Sequence, residues 1–333
     1  MTGWKHHAGV PYRMIVRAFD GPSALEREDF EPEAPGPKQV SLRVTAIGCN
    51  FFDALITAGQ YQRRPELPFA PGAEIAGEVV AVGEGSAWKV GERVMALVDY
   101  GAYASHLNVE DERVYAFPEG LNDDQASAFG SVYQTSYFGL VYRAALQPGE
   151  TAVIHAAAGG VGLAAVQIAK ALGARVIATA GSDAKLALAA EHGADVCIGY
   201  RDANWIGQVK EATDGRGADV IYDPVGGDIF DGSTKCIAWD GRLVVVGFAS
   251  GRIPTLQMNR VLLKNIAVTG LHWGAYYDHD RAKIRDAHEA LCKMVAAGQL
   301  SPVVTQTAPL EDAARVIGDL HSRKTRGKVV LHP

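Results

Sequence analysis

Cysteine is scarce. The 333-residue chain has four, Cys49, Cys197, Cys236 and Cys292, and no two are close enough in sequence to form a CxxC pair. That argues against a disulfide framework and suits a reducing compartment, so the cytoplasm is the expected location. Long apolar runs are also lacking. The longest, 156–169, is interrupted by glycines and is too short to span a bilayer; it reads as a buried helix with the loop before it. The opening MTGWKHHAGVPY has no apolar signal region. Nor is there an excess of positive charge, since the formal net charge is -6. A mildly acidic chain has no electrostatic footprint for nucleic acid or an anionic membrane, so neither is an expected partner. Internal repeats and low-complexity linkers are absent as well.

What is present divides into zones. Length allows roughly two domains of about 150 residues each. From Met14 to about Val114 the chain reads as short strands bounded by Gly and Pro: VSLRVTAI (Val40 to Ile47) alternates apolar and polar residues, and EVVAV (Glu78 to Val82) and RVMAL (Arg93 to Leu97) follow. Short strands at this spacing suggest a small barrel. From about Gly130 strands and helices alternate. TAVIH (Thr151 to His155), RVIAT (Arg175 to Thr179), DVIY (Asp219 to Tyr222) and RLVVV (Arg242 to Val246) are apolar without alternation, as strands of a parallel sheet buried on both faces are. Asp183 to His192, Asn204 to Thr213 and Asp280 to Ala297 read as helices, and Val303 to Gln306 and Lys328 to Leu331 as closing strands. The expected domains are 131–269 for the alternating part, inserted into a discontinuous barrel-like part made of 1–130 and 270–333.

One loop carries chemistry. Ala156, Gly159 and Gly162 form AxxGxxG between an apolar strand and a helix. A small first residue permits the tight turn, Gly159 lets the backbone approach a pyrophosphate, and Gly162 lets the helix lie close on the strand. Gly160, Val161 and Gly162 would present their amides to the anion at the helix head. With strand and helix on both sides, this predicts dinucleotide binding. The end of the second strand selects the coenzyme. A site for NAD wants an acid there to hold the ribose hydroxyls. Ala180 stands in that place, Asp183 is expected to cap the next helix, and Lys185, Tyr200 and Arg201 lie nearby in sequence. The absence of a repelling carboxylate favours NADPH.

At this point the chain resembles a known family. AAAGGVGLAAVQIAKALGA, GADVIYDPVGG (Gly217 to Gly227) and NFFD (Asn50 to Asp53) are similar, in order and over nearly the whole chain, to the zeta-crystallin-type quinone oxidoreductases of the zinc-independent medium-chain dehydrogenase/reductase superfamily. The resemblance implies an α/β chain in which a doubly wound parallel Rossmann sheet is inserted into a GroES-like β-barrel catalytic domain, and it implies a homodimer. It also implies cofactor contacts. Gly181, Ser182, Lys185, Tyr200 and Arg323 would meet the 2′-phosphate end. Thr135, Val225, Gly247, Phe248, Ala249, Leu271 and Trp273 would pass the nicotinamide end. The chain departs from a family member it resembles at Leu55, where a tyrosine is expected, while Tyr61 is retained.

Zinc alcohol dehydrogenases share this architecture and resemble the chain with CxxD in place of NFFD and GHE in place of Gly72-Ala73-Glu74. Asn50 and Ala73 therefore stand where two zinc ligands are needed, and Cys49 is one residue off, so no metal is expected. Without zinc to polarise an alcohol, reduction of a quinone or an α,β-unsaturated carbonyl is the expected chemistry, because its developing charge is delocalised onto oxygen. Asn50 and Tyr61 are the candidate catalytic residues, as donors to that oxygen. Each also has a structural alternative: Asn50 as a backbone-bonding turn residue, Tyr61 as a lid aromatic. Two other functions stay open. One is an enoyl-thioester reductase, with Arg63-Arg64 at a basic rim; the other is a non-catalytic NADPH-binding protein.

Overall fold

The structure is a computed structural model in which residues 9–333 are described. Residues 1–8, and with them most of the opening segment read above for a signal region, lie outside the described residues. The chain divides into two compact units, one taking in the chain up to Ser131 together with Ser301–Pro333, the other Val132–Leu300. In the first, β1 (Tyr12–Ile15) and β2 (Glu26–Asp29) form an antiparallel pair. Then come β3 (Gln39–Gly48), α1 (Phe51–Thr57), β4 (Glu74–Val82), β5 (Arg93–Leu97), β6 (His106–Glu110), β7 (Val114–Ala116) and α2 (Asp123–Ser127). On β3, Leu42, Val44 and Ala46 are buried while Arg43 and Thr45 between them are half-buried, the period of two that the sequence shows; at the start of the strand Ser41 is buried as well as Val40.

The chain passes through α3 (Gly130–Tyr137) and a π-helical turn, Phe138–Arg143, into the second unit. There β8 (Thr151–Ile154), α4 (Gly160–Ala171), β9 (Arg175–Ala180), α5 (Asp183–Glu191), β10 (Val196–Gly199), α6 (Trp205–Glu211), β11 (Ala218–Asp223), α7 (Gly227–Cys236), β12 (Ile237–Val245), α8 (Met258–Lys264) and β13 (Ala267–Gly270) alternate without exception. The six strands are parallel in the order β10-β9-β8-β11-β12-β13. Strand order reverses between β8 and β11, and ligands of such sheets bind outside the carboxyl ends of the strands at that switch. Val153, Ile177, Ile221 and Leu243 are fully buried at the sheet centre, so the continuous apolar runs follow from burial on both faces.

Helices α9 (Tyr276–His279) and α10 (Arg281–Ala296) complete the second unit. The sequence reading grouped 270–333 with the N-terminal part, whereas the division falls at Leu300. The reason is packing. The Tyr276 ring meets Phe138 at 4.5 Å between centroids, the Lys283 ammonium lies 5.2 Å over the Tyr142 ring, and the Arg143 guanidinium donates to the Gly270 carbonyl at 3.0 Å. The chain then returns to the first unit as β14 (Val304–Pro309), α11 (Ala313–His321) and β15 (Lys328–His332). β15 pairs parallel with β14 and antiparallel with β3, giving the order β14-β15-β3-β4-β5-β7 with β6 alongside β3. Val329 and Leu331 enter the same core as Leu42 and Ile75. Among the described residues no helix is long and apolar enough to cross a membrane.

Candidate active site

At the end of β8 the backbone reverses through Ala156, which takes the left-handed conformation with φ 50. Gly159 caps α4, and the Leu163 amide makes the first helical bond, to the Gly159 carbonyl at 2.8 Å. Gly160, Val161 and Gly162 thus lie at the head of the helix, where amides point along the positive end of its dipole. The two loop glycines differ in surroundings. A Cβ on Gly162 would sit 2.1 Å from the Ala156 carbonyl oxygen and 2.7 Å from the Ala157 Cα. A Cβ on Gly159 would meet only the Ala156 oxygen, at 3.4 Å. Close packing therefore demands Gly162, while the space beside Gly159 is open.

His155 anchors this loop from below. Its ring bonds Thr179 Oγ1 at 2.7 Å and Ser233 Oγ at 2.8 Å. The Ser233 hydroxyl donates to the Ile229 carbonyl, so it accepts from the ring, and Nε2 carries the proton. Burial pushes the His155 pKa down to about 4, with Asp223 pulling weakly the other way. The ends of β8 and β9 are thereby tied to α7 through one neutral imidazole.

At the end of β9, Ala180 is buried and accepts the Tyr200 amide at 3.2 Å. A Cβ on Gly181 would lie 3.4 Å from the Tyr200 ring and 3.7 Å from Arg201 Nε, so Gly181, Tyr200 and Arg201 come together. Ser182 takes the cap position of α5 and Asp183 is the first helical residue, one place later than the sequence suggests. Lys185 stands on the first turn of α5, beside that cap. Arg323 belongs to the first unit, just past α11, in the left-handed conformation.

The remaining strand ends gather the residues assigned to the nicotinamide end. Asp223 Oδ1 accepts the amides of Val225 at 2.8 Å and Gly226 at 3.0 Å, which shapes the turn after β11. The Ala249 amide donates to the Pro224 carbonyl at 3.0 Å, and a Cβ on Gly226 would meet Phe248 at 2.9 Å, so Val225 and the run Gly247, Phe248, Ala249 are neighbours. The Leu271 amide bonds the Val245 carbonyl at 2.9 Å, and Trp273 sets its ring against Tyr277 at 5.7 Å. Thr135 precedes Ser136 on α3, whose hydroxyl donates to the Val161 carbonyl at 2.8 Å, which brings that helix beside the phosphate loop.

In the first unit a second polar cluster joins β3, α1, β4 and β15. Asn50 is 8% exposed. Its amide nitrogen donates to Glu74 Oε1 at 2.8 Å, and its oxygen accepts from Lys328 Nζ at 2.9 Å. The Lys328 ammonium also donates to the Cys49 carbonyl at 2.7 Å and pairs with Glu74 Oε1 at 2.5 Å. Glu74 Oε2 accepts the Ser131 amide at 2.8 Å. Below this, Asp53 Oδ2 accepts the Asn50 amide at 2.7 Å and the Tyr103 hydroxyl at 2.9 Å, and burial raises the Asp53 pKa to about 7. Sequence reasoning named Asn50 and Glu74 here but missed Lys328; the signal was a charged residue opening an apolar strand, KVVLH. Tyr61 packs on Phe52 at 5.3 Å within an apolar cluster holding Ile56 and Phe69, and burial raises its pKa, so its hydroxyl keeps its proton.

The donor set does not suit a transition metal. Ala73 has no ligand atom, and Asn50, in the place of the cysteine, has its amide nitrogen on Glu74 and its oxygen on Lys328. Of the two buried carboxylates there, Glu74 already faces an ammonium and Asp53 accepts the Asn50 amide and the Tyr103 hydroxyl.

Comparison with known proteins matches this architecture. Residues 36–119 match the alcohol dehydrogenase GroES-like domain, and residues 160–291 match the zinc-binding dehydrogenase family. The second segment contains none of positions 50, 73 and 74. The chain is 38% identical to the quinone oxidoreductase-like protein 2 homolog of Nematostella vectensis over 96% of its own length and 89% of that protein's. It is 39% identical to a quinone oxidoreductase of Pseudomonas aeruginosa, over 96% of this chain and 99% of that one. The Escherichia coli quinone oxidoreductase, solved in complex with NADPH, superposes with a TM-score of 0.90 at 34% identity, covering 97% of this chain and 100% of that chain. The chain belongs to the quinone oxidoreductase family of the medium-chain dehydrogenase/reductase superfamily.

Proposed function

We propose that this protein is an NADPH-dependent reductase of quinones or α,β-unsaturated carbonyls that works without zinc. The observation that carries the reading is the phosphate loop at the switch point of a six-stranded parallel sheet, with uncharged Ala180 at the end of the neighbouring strand. The NADPH in the E. coli relative supports the same coenzyme. When bound, the dinucleotide supplies a hydride to the electrophilic carbon of the substrate. The chain's own residues do the rest. Amides of Gly160, Val161 and Gly162 hold the pyrophosphate, and Gly159 leaves it room. Lys185, Tyr200 and Arg323 bind the 2′-phosphate, alongside Gly181 and Ser182. Thr135, Val225, Gly247, Phe248, Ala249, Leu271 and Trp273 orient the nicotinamide. Asn50 and the protonated Tyr61 donate hydrogen bonds to the substrate oxygen as it gains charge.

The protein is further proposed to act as a cytoplasmic homodimer. Met258, Leu262 and Leu263 on α8 are 69%, 80% and 75% exposed, and α8 leads into β13, the open edge of the sheet. Such a patch beside the outer edge of a sheet favours pairing with a second copy. Four free cysteines support a reducing compartment. The activity is tested by following NADPH oxidation with a benzoquinone, a simple enone and the matching enoyl thioester. Turnover of the first two supports the reading. Preference for the thioester moves it to an enoyl-thioester reductase, and no turnover of any moves it to a non-catalytic NADPH-binding protein.

A further inference from the structure

The carboxamide of Asn50 can be oriented without ambiguity. An ammonium can only donate and a carboxylate can only accept. Lys328 Nζ on one side therefore fixes the amide oxygen, and Glu74 Oε1 on the other fixes the amide nitrogen. The three groups close a ring, because Lys328 also pairs with the same Glu74 oxygen. One of the two Asn50 N–H bonds is used up by Glu74. The other has only the Gly48 carbonyl at 3.4 Å, which is long for a hydrogen bond. That second N–H is the one left for a ligand, and its direction is set by the ring. Lys328 and Glu74 are both buried, so neither can turn to water if its partner is lost. Gly48 serves the same arrangement: a Cβ there would lie 2.7 Å from Glu74 Oε1.

We propose that Lys328 is a positioning residue of the reaction: its ammonium holds the Asn50 carboxamide in the one orientation that leaves an N–H for the substrate oxygen. This rests on the reading of Asn50 as a donor to that oxygen. Lys328 itself touches no reacting atom. Without it the amide oxygen loses its donor and Glu74 its counter-ion, so the carboxamide is held at its nitrogen alone and can tilt its second N–H away from the developing negative charge. The coenzyme site is made by other residues, so its affinity is independent of Lys328.

The test is a double-mutant cycle of Lys328→Met and Asn50→Ala, read as kcat with a soluble benzoquinone and NADPH, together with the Kd for NADPH from fluorescence titration. Each single change is expected to lower kcat by about tenfold or more and to leave the Kd within about twofold. The double variant should be no slower than Asn50→Ala alone. If Lys328→Met keeps the wild-type kcat, or slows Asn50→Ala by the same factor as it slows the wild type, Lys328 does not act through Asn50 and the proposal is overturned while the role of Asn50 stands. If Asn50→Ala has wild-type kcat, the donor reading falls and this inference falls with it. Should Lys328→Met not fold, Lys328→Ala supplemented with methylammonium replaces it. A saturable recovery of kcat that sodium chloride of equal strength does not produce supports the proposal, and no recovery overturns it.

Discussion

Alanine at Gly162 should destabilise the second unit, and alanine at Gly159 should leave it folded but weaken NADPH binding. The Gly162 methyl would lie 2.1 Å from a carbonyl oxygen and 2.7 Å from a Cα, both backbone atoms of the loop. Neither can swing aside as a side chain does, so the loop or the first turn of α4 must move by on the order of 1 Å. Overpacking of this kind costs about 1–3 kcal/mol, and more where backbone must shift. In a domain of this size that is a fall in Tm on the order of 2–12 °C. The Gly159 methyl meets one oxygen at 3.4 Å, an ordinary contact. Alanine is a poorer helix cap than glycine, so the stability change should stay within about 1 kcal/mol. The methyl would instead stand where the pyrophosphate approaches the amides of α4. Losing one or two of those bonds corresponds to about 1.4–2.8 kcal/mol, or roughly 10- to 100-fold in Kd. Thermal melts and fluorescence titration of both variants check this. Wild-type Tm for Gly162→Ala, or wild-type NADPH affinity for Gly159→Ala, would refute the reasoning about this loop.

The 2′-phosphate contact proposed for Lys185 predicts that Lys185→Ala weakens NADPH binding by about 5- to 30-fold and leaves NADH nearly unchanged, since an exposed phosphate contact is worth roughly 1–2 kcal/mol. Equal loss for both coenzymes in a titration would place Lys185 on shared parts of the ligand instead. His155 predicts acid sensitivity. Its folded pKa of about 4 lies below its ordinary value of 6.5, so the unfolded chain takes up the proton first. Stability is then fully present above pH 6.5 and falls as pH drops toward 4, by a few kcal/mol at about 1.4 per pH unit. Asp53, whose pKa is raised to about 7, acts in the opposite sense over this range but is common to both proteins, so the His155 contribution is read as the difference between urea midpoints of wild type and His155→Gln from pH 7.5 to 4.5; the same pH slope in both contradicts the assignment. If the proposed homodimer forms through α8, Leu262→Glu with Leu263→Glu should convert it to monomer in sedimentation; a dimer that persists moves the interface elsewhere, and a monomeric wild type overturns the dimer.

Much of the second unit was legible because its strands are buried on both faces. RVIAT and DVIY read as strands and fall within β9 and β11, and the loop between β8 and α4 lies where the small residues put it. RLVVV marked only the end of β12, which begins at Ile237, because its first half carries Trp239 and Asp240 on the surface. Helix α7 escaped sequence reading. Its run GDIFDGSTKC is rich in glycine and hydroxyl residues, which read as turn. Gly232 is there for contact: a Cβ on it would meet the Trp205 ring at 2.3 Å, so the glycine lets α6 and α7 pack closely. Most of the proposed cofactor residues follow the end of a strand, which is the pattern the sequence offers; Thr135, on α3, and Arg323, just past α11, do not and come from the family resemblance alone. Lys328 was not legible, because its meaning depends on Glu74 and Asn50, which are distant in sequence and meet it only after β15 pairs with β3.

The central claim is hydride transfer from NADPH without zinc, and one measurement tests it most directly. The purified protein is stripped with a strong chelator, its zinc content is determined, and its steady-state oxidation of NADPH by a soluble quinone is compared with the untreated protein and with NADH as donor. The account predicts that the rate with NADPH is unchanged at less than about one-tenth of a zinc per chain, because Asn50, Ala73 and the Lys328 ammonium leave no ligand set for the metal, and that NADH is the poorer donor. Activity that disappears with about one zinc per chain and returns when zinc is added would contradict it.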